Sequence, residues 1–392
     1  TRTDSSAASD VYKRQVLEIA KNLIKVKSIS PNDNGCFHII TSELSKIGFD
    51  INFDNYKNVE NLIATIGEKG PIFCFLGHTD VVPEGPIDEW KHHPYDAVVE
   101  NDILFGRGAA DMKSSIAAFI SATSKFLDKV KDPNFQIWIL LTSNEEGEID
   151  DGKIDKIISR LMNEEKFIDY CLVGEASSSE VVGDVIRRGR RGSLTGYLTV
   201  IGKQGHVAYP NKAINPIHHS GEIIEKLSNI VWDKGNKFFE PTTFQVSNIN
   251  SGTGATNVVP KDLNMIFNLR FSPESNAVEL KNRIEKILND GEFRYEIEWV
   301  QNAEPYFTEK DQFINLIQSV LEKVNGKKAI INNGGGTSDG RWIAPMGTQV
   351  IELGPLNKTI HQIDEQIPIS DLEKTCLSLI HISEPTRPSR IA

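Results

Sequence analysis

Four segments of this chain end a buried-looking stretch or a glycine turn on an ionisable side chain. Phe73 to Leu76 runs into Gly77, His78 and Asp80, and Phe135 to Leu141 runs into Glu145 and Glu146. "CLVGEAS" delivers Glu175, and the glycine turn "GRGAADMK" delivers Asp111. Short, nearly continuous apolar runs predict strands buried on both faces. Helical spacing lies between them, in "VLEIAKNLIKVKSI", in "HIITSELSKIGF" up to Gly48, and in "DMKSSIAAFISATSKFL", which Asp111 opens. Strands alternating with helices predict an α/β class, a mixed sheet packed between helical layers. Ligands of such sheets bind beyond the carboxyl ends of the strands, where these acids and the histidine fall.

Near Arg190 the pattern changes. "SLTGYLTVIGKQGH" alternates as a half-buried strand does, and "NPIHHSGEIIEKLSNIV" reads as a helix. "TTFQVSNINSG" and "KDLNMIFNLRFS" are strands, "NAVELKNRIEKILND" is a helix, and "RYEIEWVQ" is a further strand. That order describes an α+β two-layer domain inserted into the first. The expected limits are 16–190 and 304–380 for the discontinuous domain and 191–303 for the insert. Residues 1–15 and 381–392 share no periodicity with their neighbours and read as non-native tails, leaving the last helix cut short.

A chain of 392 residues is too long for one ordinary core. With 39% hydrophobic and 25% charged residues it has the composition of a soluble globular protein. Its net charge of -11 argues against a nucleic-acid partner. No apolar run reaches the ~20 residues that span a bilayer. The four cysteines are scattered, which fits a reducing, cytoplasmic setting.

Each acidic segment has an ordinary reading. "GHTD" fits a capped strand end, "NEEGE" a solvated acidic loop, and Asp111 a helix N-cap. Glu175 would serve in an ion pair with the "RRGRRG" run. Together, however, one histidine and a crowd of carboxylates at one sheet rim would repel unless some stayed protonated. A divalent cation removes that difficulty, and imidazole with carboxylate suits zinc.

The motifs "GHTDVVP", "GRGAADMK", "TSNEEGE", "VGEASSS", "GRRGSLTG", "GKQGHVAYP", "GGGTSDGR" and "LGPLNKTIHQIDE" resemble, in order, those of the M20 family of dinuclear zinc amidohydrolases. The likeness spans roughly residues 16–378. It implies a zinc-hydrolase catalytic domain, an inserted dimerisation domain, and two Zn2+ per subunit, with Co2+ able to substitute. The metal ligands it implies are His78, Asp111, Glu146, Glu175 and His361, with Asp111 bridging. Asp80 would orient the His78 imidazole, and Glu145 would act as general base toward a metal-activated water. His206, from the partner subunit of a homodimer, would stabilise the tetrahedral oxyanion, accompanied by Tyr209 and Asn257. Ala176 stands where the family pattern has proline, which loosens the turn after Glu175.

"RRGRRGSL" and Arg270 offer guanidinium groups for carboxylates. "NNGGGTSDGR" offers backbone amides but lacks the ending of a phosphate loop. By resemblance, substrate contact falls to Arg190, Ser193, Arg270, Gly336, Thr337 and Asn357. The likeness is closest to members that release succinate from a diamino acid. The expected reaction therefore converts N-succinyl-LL-2,6-diaminopimelate to succinate and LL-2,6-diaminopimelate, in lysine and diaminopimelate synthesis. The alternatives are an acetylornithine deacetylase or dipeptidase of the same family, or a metal-binding homologue without catalysis.

Overall fold

The structure, a computed structural model, describes residues 3–131, 133–147 and 154–383. They form two compact units. One comprises Thr1–Arg188, Phe307–Asn332 and Ser338–Ala392, the other Gly189–Tyr306 and Asn333–Thr337.

The first unit is built on six strands, in the order Asp50–Phe53, Asn61–Ile66, Gln136–Thr142, Ile72–His78, Tyr170–Val173 and Gln349–Glu352. The last four run parallel, and the first two pair antiparallel. Every residue of Ile72–His78 is buried, as expected of a central parallel strand covered on both faces. The helix Lys113–Lys129 lies against it, and the Phe75 and Phe119 rings stack with centroids 4.3 Å apart. Removing one such side chain from water contributes about 1.5–3 kcal/mol.

Two helix boundaries differ from expectation. The first helix spans Thr3–Ile24, beginning inside the stretch set aside as a tail and ending five residues before Ile29. The residues of that leading stretch carry no apolar stripe, so periodicity was silent about them. The other helix starts at Lys113, with Met112 at its cap position and no side-chain cap. Asp111 is therefore not the N-cap; its carboxylate faces two histidines instead. The final helix runs Ile369–Ser383, and residues 384–392 of the expected C-terminal tail lie outside the described residues.

The second unit is a four-stranded antiparallel sheet, ordered Thr243–Ser251, Asp262–Phe271, Gly192–Ile201 and Arg294–Ala303. Helices Pro216–Ser228 and Ala277–Asn289 close its core around Leu194, Leu198, Phe267 and Phe271. Both helices have an asparagine N-cap, Asn215 and Asn276, each accepting from a first-turn amide. Gly196 lies opposite Phe267 in register, and a Cβ there would come within 2.3 Å of the ring. The Asn333–Thr337 turn groups with this unit, its Asn333 amide donating to the Phe238 carbonyl. Linear boundaries do not carry that excursion.

No helix among the described residues is long and apolar enough to cross a membrane. Cys36, Cys74, Cys171 and Cys376 are free and buried.

Candidate metal centre

Three parallel strands leave the sheet at one edge. His78 ends its strand in register with Thr142, after which Ser143 to Glu146 follow. On the other side, the strand Tyr170–Val173 leads into Gly174 and Glu175. Glycine at positions 77 and 174 makes room for the Met112 side chain, since a Cβ at either would fall within 2.5 Å of its methyl. Asp111, next to Met112, is thereby drawn up against the strand ends.

The Asp111 carboxylate stands between two imidazoles. One oxygen is 3.3 Å from His78 Nε2, and the other is 3.5 Å from His361 Nε2. Each histidine also has a carboxylate of its own. Glu175 Oε1 lies 3.6 Å from His78 Nε2, and Glu146 Oε1 lies 2.7 Å from His361 Nε2. Donor atoms of His78, Asp111 and Glu146 all fall within 4.8 Å of one another, as do those of His78, Glu145 and Glu175. The Glu145 carboxylate has no hydrogen-bond partner among the described residues.

Asp80 meets His78 through both its main chain and its carboxylate. His78 Nδ1 lies 2.9 Å from the main-chain carbonyl of Asp80 and 3.6 Å from its carboxylate. A carbonyl only accepts, so Nδ1 carries the proton and Nε2 is turned toward the acids. The Asp80 carboxylate accepts the backbone amides of Glu145, at 3.1 Å, and Glu146, at 3.0 Å, and the Ser30 hydroxyl. It thus holds the turn that presents the glutamate pair. Ser30 had no signal in the sequence, being a lone serine remote from every motif.

The charges of this cluster need a counter-ion. Burial and the Asp111 charge push Glu175 well above the usual carboxylate range. Burial, with Asp111 and Glu145, raises Glu146 to about 7, against the pull of His361. Burial opposes charge on His78, but hydrogen bonding to Asp111 and the Asp80 and Glu175 charges raise it well above an ordinary imidazole. Hydrogen bonds to Asp111 and Glu146 raise His361 to about 10. Asp111 is held low against its burial by the same two histidines. Protons thus sit where four carboxylates and two imidazoles crowd together. Divalent cations would replace them with oxygen and nitrogen ligands of the kind zinc takes, so the residues fit a metal centre.

The remaining candidates fall mostly in the second unit. His206, exposed, pairs through its short strand with Val258–Val259. Its Nδ1 accepts the Ala208 amide at 3.1 Å, which leaves Nε2 as the donor. The Tyr209 ring is 5.7 Å away, and Asn257 accepts the Val207 amide at 3.1 Å. Arg190 donates to the Gly336 carbonyl at 3.1 Å, next to Thr337 in the same turn. Burial, with the Arg191 and Arg190 charges, depresses Arg270 below the ordinary guanidinium range. Ser193 stands opposite Arg270 in register. Asn268 donates to the hydroxyls of Ser193 and Thr195, both at 3.0 Å, and Thr195 donates to Asn302 at 2.8 Å. Only strand register places Asn268, Thr195 and Asn302 beside Ser193, so no sequence motif marks them. Asn357 belongs to the first unit, where its amide donates to the Ser178 carbonyl at 3.0 Å.

Residues 74–384 match the model of peptidase family M20/M25/M40. The chain belongs to the M20 peptidase family. It is 49% identical over 362 residues to a succinyl-diaminopimelate desuccinylase of Hydrogenovibrio crunogenus, a span covering 92% of this chain and 96% of that one. The desuccinylase of Hahella chejuensis is 47% identical over 368 residues, 94% of this chain and 96% of its own. An M20 family metallo-carboxypeptidase from Sulfolobus solfataricus, only 20% identical, superimposes with a TM-score of 0.78 over 94% of this chain and 98% of its own. The mixed α/β architecture is thus that of M20 metallopeptidases. The candidate metal centre lies in the first unit of this M20 chain.

Proposed function

We propose that this chain is a dizinc amidohydrolase that cleaves N-succinyl-LL-2,6-diaminopimelate to succinate and LL-2,6-diaminopimelate. The observation that carries the metal chemistry is Asp111, whose two oxygens face different imidazoles, each with a carboxylate of its own. His78 with Glu175, and His361 with Glu146, together with Asp111, would hold two Zn2+, or Co2+ in their place, which would activate a water and polarise the amide carbonyl. Glu145 takes the proton of the attacking water as the new C–O bond forms. The same carboxyl returns that proton to the amine as the C–N bond breaks. Asp80 accepts the backbone amides of both glutamates, while Glu146 faces His361 and Glu145 groups with His78 and Glu175, which suits a division of these tasks.

The desuccinylase names of the relatives support the substrate. So do the gathered guanidiniums of Arg190, Arg191 and Arg270, which suit a substrate bearing several carboxylates. Ser193, opposite Arg270 in register, accepts from Asn268 and donates to Asn302 at 3.5 Å, so a polar network borders these guanidiniums. Turnover of N-succinyl-LL-2,6-diaminopimelate beside N-acetylornithine tests the assignment. The succinylated compound should win by at least about 10²-fold in kcat/KM, since an arginine-built site rejects an acyl group without a carboxylate. Preference for acetylornithine would sink the substrate and keep the metal chemistry. Metal binding with turnover of neither would favour the non-catalytic homologue.

In this reading the enzyme is a cytoplasmic homodimer whose partner subunit lends His206, Tyr209 and Asn257. The exposed His206, its Nε2 left to donate by the Ala208 bond at Nδ1, motivates the dimer. Sedimentation at twice the chain mass is expected, and a fully active monomer would rule the dimer out.

A further inference from the structure

Glu365 takes no part in the chemistry above, yet its carboxylate is fully engaged. The side chain is 1% exposed. Oε1 accepts the amides of Ala110, at 2.9 Å, and Asp111, at 3.0 Å. Oε2 accepts the Gly108 amide at 3.0 Å and Arg107 Nη1 at 2.8 Å. Its main-chain carbonyl also accepts the Gly106 amide at 2.9 Å. A single residue therefore grips the whole turn that carries Asp111.

Arg107, equally buried, completes the arrangement. Besides Glu365 it donates to the carbonyl of Gln362, at 3.1 Å, and of Pro83, at 3.3 Å. Its guanidinium lies over the Trp90 ring, 5.1 Å from the centroid. Gln362 directly follows His361, and Pro83 follows the His78–Asp80 segment. His361 itself is half exposed and adopts a left-handed backbone, φ 61°. The Arg107–Glu365 pair thus stands where the chain segments bearing Asp111, His361 and His78 meet.

A buried ion pair is weak evidence for stability, because desolvation of two charges offsets their attraction. Apolar residues of similar volume would serve a purely packing role as well. What they would not supply is four acceptor positions, three of them spent on backbone amides of one turn. We infer that Glu365 is a positioning residue that sets the separation of Asp111 and His361, and through it the affinity for the cation they share. The inference rests on the two-metal reading of the site.

Glu365→Gln tests it with almost no change of volume. The amide keeps one acceptor oxygen and sets an NH2 group against two N–H donors, so two of the four hydrogen bonds are lost. Titrated with Co2+, wild-type protein should take up two ions per chain. The variant should bind the weaker ion 10–100-fold less tightly, with altered cobalt absorption bands. At saturating metal its kcat should fall while KM stays within about twofold. A lower melting temperature with wild-type cobalt affinity and spectrum would overturn the positioning role. If Glu365→Gln does not fold, Arg107→Lys decides, since it keeps the charge and loses the fork that spans Glu365, Gln362 and Pro83. A weaker loss of cobalt affinity is expected there, and unchanged binding would overturn the inference. Wild-type protein that takes up no cobalt would instead sink the two-metal reading, and this inference with it.

Discussion

Glu145→Gln protein is expected to keep both metals and its fold while losing about 10²–10⁴-fold in kcat. Glutamine has the shape of glutamate but takes no proton at neutral pH, so the substitution removes the transfer step alone. Its backbone amide, which Asp80 accepts at 3.1 Å, is unaffected. None of His78, Asp111, Glu146, Glu175 or His361 is altered. KM should stay within a few-fold, since in the proposed mechanism Glu145 acts on the water and not on the ground-state substrate. The measurement is steady-state kinetics beside metal analysis of the same preparation. A second outcome has a definite meaning, because a Glu145 oxygen lies within 4.8 Å of donor atoms of His78 and Glu175. If metal content falls with turnover, Glu145 is a ligand and the base must be sought elsewhere. Full turnover with full metal would remove Glu145 from the mechanism.

Removal of metal should have the second large effect. Dialysis against a chelator is expected to abolish turnover, and Zn2+ or Co2+ should restore it. The pH dependence of reloading follows from the protons the cluster holds. An imidazole must be neutral to bind a metal, whereas hydrogen bonding to Asp111 and Glu146 keeps His361 protonated up to about 10. Metal uptake at pH 7.5 therefore expels protons, and affinity rises with pH until about 10. The slope is about tenfold per pH unit for each proton displaced. Below about 7 the Glu146 carboxyl, raised mainly by burial, adds its own proton and steepens the fall. Calorimetry in two buffers of different ionisation heat counts the protons. Affinity independent of pH between 6 and 9 would show that the histidines are not ligands.

Much of the fold was legible because it is written in local periodicity. Continuous apolar runs marked the parallel strands, and alternation marked Gly192–Ile201 and Asp262–Phe271. Helix ends were less legible, as Asp111 shows: an aspartate before an apolar helical run looks like a cap. Its true environment depends on Met112 lodging beside Gly77 and Gly174, which come from two different strands. The same holds for Asp80. Its position two residues after His78 suggests an imidazole partner, and its carboxylate lies 3.6 Å from Nδ1. Only the folded chain shows that the backbone carbonyl is nearer, at 2.9 Å, and that the carboxylate also accepts the Glu145 and Glu146 amides.

By itself the sequence determined which side chains end buried strands, because burial of a strand and the polarity of its last residue are both local properties. It also determined the order of the motifs that place this chain among M20 peptidases. Only the tertiary structure decided which of those side chains meet. Parallel strands bring their carboxyl ends to one edge whatever their separation in sequence, so His78, Glu146 and Glu175 converge there. Hydrogen bonds between residues some 250 positions apart, such as Glu365 to the Asp111 turn, leave no periodic trace along the chain. They become visible only when the backbone is folded, because a carboxylate recognises donors by distance and direction and not by their place in the sequence.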